Sequence, residues 1–414
     1  MSNDQIFSEK YKNLNFSNAN EYINLPRYRW YSYKEGFSPR LVAEAINSVN
    51  LSHTDYILDP FNGNGTVTLT ASTKNINSVG IDVNPFVSFL SRVKLNNFDN
   101  FTNDTNRLLS SIKVTKSGLL NYSTFSEKSD KSKWLFNSSV LNTFESFWQS
   151  TNQFSIESQE LMRLSLIGAA MDNCNATKDG KCLKYRTNWH QKKFDKNSFI
   201  NSLENRLQII INDLKSSQIH KKATIINGDS RNVIKSLSSN FKLCITSPPY
   251  LNSFDYTDIY RPELFLGKFI LNNDELQHLR NRTIRSHVEI HLPKPLTNVF
   301  GEIYHTVYGR INNYKYFWDK QIPIMIQSYF EDMQNVIQNL LVKSQKGAQL
   351  WLVVANSIYA ETEIPVDLIL AEIGTRNGWK LLRIEVLRNI QRRKTKYNGN
   401  IKTLRESLLV FENN

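Results

Sequence analysis

An α/β fold built on a doubly wound, mostly parallel sheet is predicted by three observations. The run Tyr56-Ile57-Leu58 is a short apolar strand that closes on Asp59-Pro60 and meets a glycine-rich turn, Asn62-Gly63-Asn64-Gly65. Helical spacing then opens at Val67 and gives way to a second apolar run, Ser78-Val79-Gly80-Ile81, ending on the carboxylate of Asp82. The same strand pattern returns far along the chain, at Thr224–Asp229 and at Lys242–Thr246. Strand, turn, helix and strand in quick succession form the first half of a doubly wound sheet. The long gap before the pattern resumes marks one sheet interrupted by insertions that face a partner.

The elements follow in order. Residues 85–94 place Phe86, Phe89, Leu90 and Val93 at helical spacing, which predicts a helix behind the second strand. Residues 101–220 break the sheet pattern and read as mainly helical, with helices over Ser138–Thr151, Ser158–Asp172 and Ser198–Lys215 around a basic loop, Asn173–Lys196. Residues 262–320 are basic, aromatic and irregular. Phe330, Met333, Ile337, Leu340 and Leu341 form a helical stripe expected to stop at Gly347. Gln349–Ala355 is a buried strand, Asp367–Ile373 a helix, and Trp379–Leu387 and Arg405–Phe411 two last strands joined by the basic loop Gln391–Lys402.

Composition narrows the function classes. The chain has 414 residues, enough for two or three units at roughly 150 residues each. No apolar run reaches the ~18 residues that span a bilayer, and the polar N-terminus lacks the apolar core of a secretory signal. Three cysteines, Cys174, Cys182 and Cys244, are too few for a disulfide framework and fit a reducing cytoplasm. Cys174, Cys182 and His190 lack a fourth ligand nearby, so no metal site is expected. The formal net charge of +13 points to a polyanionic partner, nucleic acid first among them. The positive charge clusters at 27–40, 178–196, 280–285 and 388–402.

Two motifs carry chemistry. In Asp59-Pro-Phe-Asn-Gly63-Asn-Gly65-Thr66, glycines after a strand let backbone approach a ligand, and the helix that follows offers unpaired N–H groups. Leu69 stands where a dinucleotide fingerprint needs its third glycine, and no Gly-Lys-Ser/Thr follows, so neither a dehydrogenase loop nor a phosphate-binding loop fits. Asp82, at the end of the next strand, is where a ribose diol is held in such folds; it would equally cap the helix beginning near Pro85. In Thr246-Ser247-Pro248-Pro249-Tyr250, paired prolines hold an extended loop at the carboxyl edge of a strand. Its free carbonyls, serine hydroxyl and aromatic face suit an exocyclic amino group on a planar base. A strand-ending turn with a core tyrosine is the plainer alternative.

Together with Gly80-Ile-Asp-Val-Asn-Pro85, these motifs resemble those of the S-adenosylmethionine-dependent amino-methyltransferases of DNA, which methylate adenine N6 or cytosine N4. Tyr33–Pro39, Gly228-Asp229-Ser230 and Arg405–Phe411 resemble further elements of that family, so the likeness covers about residues 27–100 and 222–414. The cofactor loop precedes the Ser-Pro-Pro-Tyr loop, which excludes the branch with the reverse order. The resemblance implies a Rossmann-like class I methyltransferase sheet with an antiparallel last strand. It divides the chain into a cofactor-binding part (1–100), a helical insertion (101–221), the segment with the Ser-Pro-Pro-Tyr loop (222–261), a target-recognition region (262–320) and a C-terminal half (321–414).

The resemblance also implies roles. Phe61, Gly63 and Gly65 would line the methionine part of the cofactor, with Asp59 near its amino group and Phe37 and Ser38 closing over it. Asp82 would hold the ribose hydroxyls and Asp229 the adenine amino group, with Thr66 and Asn84 also in the cofactor site. Ser247, Pro248, Pro249 and Tyr250 would form the catalytic loop that holds the target base, and Tyr256 either lines the pocket or belongs to the core. Serine at the head of the loop is commoner in cytosine-N4 enzymes and favours that target over adenine N6. No cysteine nucleophile is needed, and Cys244 reads as a core residue.

A stacked base must be flipped out of duplex DNA, and basic loops are expected to supply that contact. The candidates are Lys184 and Arg186 in one insertion and Arg280, Arg282, Arg285 and His287 in the other, with Lys192 and Lys294 beside them. The expected partners are double-stranded DNA and a cognate restriction endonuclease, the expected state a cytoplasmic monomer. A tRNA guanine-N2 methyltransferase shares similar loops, but those enzymes usually add an N-terminal RNA-binding domain for which the stretch before Arg27 is short. A non-catalytic nucleic-acid-binding protein is the remaining alternative.

Overall fold

The computed structural model describes residues 7–12, 14, 16, 22–33, 35–110, 125–127, 133–180, 182–191, 194–290, 292–391 and 402–414. Lys192 and residues 392–401 of the last basic loop lie outside the described residues. The strands in chain order are β1 (Phe7–Ser8), β2 (Tyr56–Asp59), β3 (Asn77–Asp82), β4 (Ala176–Asp179), β5 (Cys182–Tyr185), β6 (Thr224–Asn227), β7 (Phe241–Thr246), β8 (Ser344–Ala355), β9 (Ser357–Tyr359), β10 (Thr362–Ile364), β11 (Trp379–Gln391) and β12 (Thr403–Asn413).

Eight of them form the central sheet, ordered β1-β11-β12-β8-β7-β2-β3-β6. All neighbouring pairs are parallel except those made by β12, which runs antiparallel to both β8 and β11. This is the Rossmann-like class I methyltransferase sheet with its reversed last strand. From β2 the chain winds outward through β3 to β6, then returns to build the other half from β7, so the winding direction switches between β2 and β7. Ligands in open α/β sheets bind at the carboxyl ends of strands flanking such a switch. The residues there are Asp59 and Thr246, and the Thr246 hydroxyl donates to Asp59 Oδ1 at 2.7 Å.

Local sequence explains the helices that follow these strands. Asn84 accepts from the N–H groups of Phe86 and Val87 and Pro85 occupies the first turn, which starts the helix Pro85–Val93. Asn84, and not Asp82, is therefore its cap. Ser38 with Pro39 does the same for Pro39–Ser48, and Asp229 caps Ser230–Ser236. Helices cover both sheet faces: Leu41, Val42 and Ala45 pack on Trp351 and Val353 on one side, while Met325, Phe330 and Ile337 meet Leu350 and Leu352 on the other.

The insertion forms its own core. The helices Ser138–Ser150, Ile156–Asp172 and Lys196–Ser216 bury Phe144, Leu166 and Leu203 together with Phe86 and Leu90 of the sheet layer and Leu264 from beyond the Ser247–Tyr250 loop. Three expectations are corrected. The basic stretch 173–196 is not all loop: alternation in Cys182-Leu183-Lys184-Tyr185 and a turn at Gly180 make the hairpin β4–β5. Residues 262–320 are substantially helical, with helices Arg261–Leu266, Asn273–Asn281 and Glu302–Asn312. The helix Ile322–Val342 stops before Gly347, which lies within β8 beside a register shift between Phe241 and Leu243. No helix among the described residues is long and apolar enough to cross a membrane.

Candidate active site

At the carboxyl end of β2, Asp59 is buried and accepts from the Phe61 N–H as well as from Thr246. Burial pushes its carboxyl up to about 7. Gly63 and Gly65 both take positive φ, +49° and +85°, but serve different ends. The nearest neighbour of a Cβ on Gly63 would be the Tyr33 ring at 3.5 Å, and Gly63 faces a cavity. A Cβ on Gly65 would lie 2.9 Å from Ser91 Cβ, so Gly65 allows the loop to pack on the helix Pro85–Val93. Gly65 is not among the residues that line the cavity, and close contact with that helix is what excludes a side chain there. Thr66 likewise points inward, its hydroxyl donating to Asn64 Oδ1.

Asp82 is wired to this loop. Its carboxylate accepts from Gly63 N–H at 2.9 Å and from Asn84 N–H at 2.9 Å, and burial raises its carboxyl to about 6. Asp82 and Asn84 both line the cavity, as does Asp229 from the next strand end. Arg231 holds the Asp229 carboxylate at 2.7 Å and reaches Asp332 at 2.9 Å. Under the loop, Lys94 is fully buried with its ammonium 3.2 Å from the Asn64 carbonyl oxygen; burial lowers it to about 7.

Beyond β7, Ser247, Pro248, Pro249 and Tyr250 line the same cavity. The Tyr250 phenol donates to Glu406 Oε1 at 2.8 Å, and burial beside that carboxylate holds the phenol well above its usual range. Tyr256 is part of the lining and meets Phe254 edge to face at 4.5 Å between centroids. Phe37 closes one side with Tyr33, Glu35 and Gly36; Tyr33 stacks on Tyr260, whose hydroxyl donates to Glu35 at 2.6 Å. Ser38 is buried at its helix cap and does not line the cavity, nor does Asp59. Cys244 is buried in β7, and burial raises its thiol well above the usual value, which suits a core residue.

One cavity of about 320 Å³ thus joins the glycine loop, the carboxylates of Asp82 and Asp229, and the Ser247–Tyr250 loop. Its volume falls within the range of ligand pockets. Residues that the sequence did not single out complete it. Glu406 and Arg388 come from the last two strands, and Gly180 from the tip of the β4–β5 hairpin. A signal for Glu406 existed: it is a carboxylate between Leu404 and Leu408 at a buried position of an alternating strand.

The basic candidates separate. Arg280 donates to Asp255 at 2.7 Å and lies 3.4 Å from Asp258. Arg285 donates to Asp332 and Glu331, each at 2.7 Å. His287 is 2% exposed, with Nε2 3.2 Å from the Thr283 hydroxyl, and burial lowers its basicity. The two arginines are thus held by carboxylates and the imidazole is buried, so none of the three stands as an open cation. Arg282 is exposed at the cavity wall, and Lys184 is exposed, 3.5 Å from Asp179. Arg186 is half-buried and donates to the Cys174 carbonyl at 2.8 Å.

The sheet order is that of the class I methyltransferase fold, and S-adenosylmethionine is the cofactor that goes with it. The wall fits that ligand: a carboxylate at the second strand end, a second carboxylate at the third, and a glycine whose backbone faces the cavity. Within the class the chain is a homologue of the type II methyltransferases, the kin that its Ser-Pro-Pro-Tyr loop resembles. It is 27% identical to the type II methyltransferase M.BsoBI of Geobacillus stearothermophilus, over 96% of this chain and 86% of that protein. It is 27% identical to the type II methyltransferase M.AvaI of Nostoc sp., over 93% and 86% respectively. A shorter stretch of 67 residues is 40% identical to the type II methyltransferase M.MjaII of Methanocaldococcus jannaschii, covering 16% of this chain and 12% of that one. No family model matches. Among solved structures, TrmN from Thermus thermophilus overlaps 95% of this chain and 53% of its own with a TM-score of 0.32 and 8% identity. The rRNA methyltransferase aviRa from Streptomyces viridochromogenes gives 0.30 and 10%, over 91% and 85%. Overlaps this loose carry no argument.

Proposed function

We propose that this chain is a site-specific DNA methyltransferase that modifies the N4 amino group of a flipped-out cytosine, as the modifying half of a restriction–modification system. The observation that carries the reading is the single cavity shared by the Gly63–Asp82 wall and the Ser247–Tyr250 loop. Kinship with type II methyltransferases and the net charge of +13 support DNA as the substrate. A cognate endonuclease, a monomeric state and a cytoplasmic location belong to the same reading.

S-adenosylmethionine, when bound, supplies a methyl group already activated by its sulfonium. The chain's own work is alignment and hydrogen bonding. Asp82 accepts from the ribose hydroxyls, Asp229 from the adenine amino group, and Phe61, Gly63, Phe37 and Asn84 enclose the cofactor. Asp59, Ser38, Gly65 and Thr66 shape that wall from behind. The cytosine amine is a weak nucleophile because its lone pair is delocalised into the ring. Ser247 and the Pro248 carbonyl accept its N–H hydrogens and favour the pyramidal form, Pro249 keeps the loop extended, and Tyr250 stacks on the ring. Arg282 and Lys184 are the exposed cations offered to phosphate; the segments 173–196 and 262–320 read the site.

The test is nucleoside mass spectrometry on DNA from cells expressing the protein, beside cells expressing Ser247→Ala. N4-methylcytosine with the intact protein alone is expected. N6-methyladenine would overturn the base assignment, and neither product would overturn DNA methylation.

A further inference from the structure

Glu406 occupies a place that the proposed roles leave unused. Because β12 runs against its neighbours, its first residues lie at the carboxyl edge of β7 and β8, where Glu406 pairs in register with Ala355. Arg405 and Ser407 both donate to Asp367, at 2.9 and 2.7 Å, and strand alternation turns Glu406 to the opposite side, into the cavity. The β11–β12 register shifts by one residue between Val386 and Arg388 and brings Arg388 opposite Glu406. Such a bulge re-aims a side chain. Arg388 Nε then donates to Glu406 Oε2 at 2.6 Å. The carboxylate is 2% exposed, while the guanidinium is 45% exposed.

That buried, anchored anion receives the phenol of Tyr250 at 2.8 Å, and the Ser247 hydroxyl lies 3.4 Å from the Tyr250 oxygen. We propose that Glu406 is a positioning residue of the transfer site, which fixes the Tyr250 ring and through it orients the Ser247 hydroxyl toward the target amine. A phenol has one hydrogen. With that hydrogen given to Glu406, the Tyr250 oxygen can only accept, so the Ser247 hydrogen turns to Tyr250 and the serine lone pairs remain open for the amine. A chain of hydrogen bonds ending on a carboxylate polarises each link and makes the serine oxygen the better acceptor. The 3.4 Å link is long, as such contacts are before a substrate closes the site.

This inference rests on the methyl-transfer reading, so its test has an arm independent of it. Glu406→Gln keeps shape and an acceptor but removes the anion; Tyr250→Phe removes the link. Each is expected to slow single-turnover methyl transfer by about 100-fold, the order expected from a misplaced reacting group. Affinities for DNA and cofactor should stay unchanged, and the double variant should be no slower than either single one. Wild-type rates in Glu406→Gln, or losses that multiply, would overturn the proposal. In the second arm, 3-fluorotyrosine is placed at position 250 and titrated by fluorine NMR. Its phenol should ionise at higher pH with Glu406 than with Glu406→Gln, and identical titrations would overturn the contact whatever the activity. A protein that transfers no methyl group yet shows the titration difference would sink the proposed function and leave the Glu406–Tyr250 link standing.

Discussion

Gly63 and Gly65 stand two residues apart in one loop, both at positive φ, yet alanine at each should fail differently. An L-residue in the left-handed region costs roughly 1–2 kcal/mol, and both variants bear it. At Gly63 the added methyl meets the Tyr33 ring at 3.5 Å, an ordinary contact, so the stability loss should stop at about 1–2 kcal/mol. At Gly65 it lies 2.9 Å from Ser91 Cβ and 3.3 Å from Ser91 Cα, on a helix that cannot yield without moving Phe86 and Leu90 in the core. Overpacking adds about 1–3 kcal/mol, for a total of roughly 2–5 kcal/mol. Urea unfolding of Gly63→Ala and Gly65→Ala reads the two totals, and calorimetry reads cofactor affinity. Gly65→Ala should be the less stable protein, and Gly63→Ala the one whose cofactor affinity falls by more than its stability loss explains. Equal stability losses, or intact cofactor affinity in Gly63→Ala, would refute the division of labour between the two glycines.

Other consequences follow from the same geometry. Burial raises Asp82 to about 6, and hydroxyl donors need the ionised form; cofactor affinity should therefore be flat above pH 7 and fall up to tenfold per unit below 6. Calorimetry of Asp82→Asn should show weaker binding without that acid limb, and an unaltered limb would remove Asp82 from the site. Asp59 is raised to about 7, above its unfolded value, so its contribution to stability is full below about pH 4 and is lost as pH rises through 7. Asp59→Asn should gain stability over the parent at pH 8 by the order of a few kcal/mol and match it at pH 4, as read by thermal unfolding. Arg285→Glu should unfold the protein more readily, because it breaks the ties to Glu331 and Asp332, whereas Arg282→Glu should leave stability intact. Arg282→Glu should also weaken DNA binding and reduce its salt slope by about 1, and an unchanged slope would move the DNA face elsewhere.

What the sequence made legible was local chemistry. The strand run ending at Asp59, the glycines behind it, the Asn84-Pro85 helix start and the paired prolines after Thr246 each encode their own conformation within a few residues. The switch between β2 and β7 follows from their order, so both loops reach one cavity. What was hidden depends on partners far along the chain. Arg280 and Arg285 look like open cations until Asp255, Glu331 and Asp332 are brought beside them. Glu406 meets Tyr250 across 156 residues, and Arg388 only through a one-residue register shift. The helix Asn273–Asn281 was visible in principle, since Asn272 caps Glu275 N–H in an Asn-x-x-Glu pattern, but the charges around it drew the reading toward loop.

In the proposed function, cofactor and target base meet in one cavity built from two walls with separate duties. Calorimetric titration of S-adenosylmethionine into the intact protein, Asp82→Asn and Ser247→Ala, with methyl transfer to DNA followed on the same samples, tests it most directly. Asp82→Asn should lose cofactor affinity, whereas Ser247→Ala should bind the cofactor like the intact protein and transfer nothing. Full affinity in Asp82→Asn, or normal transfer by Ser247→Ala, would contradict it.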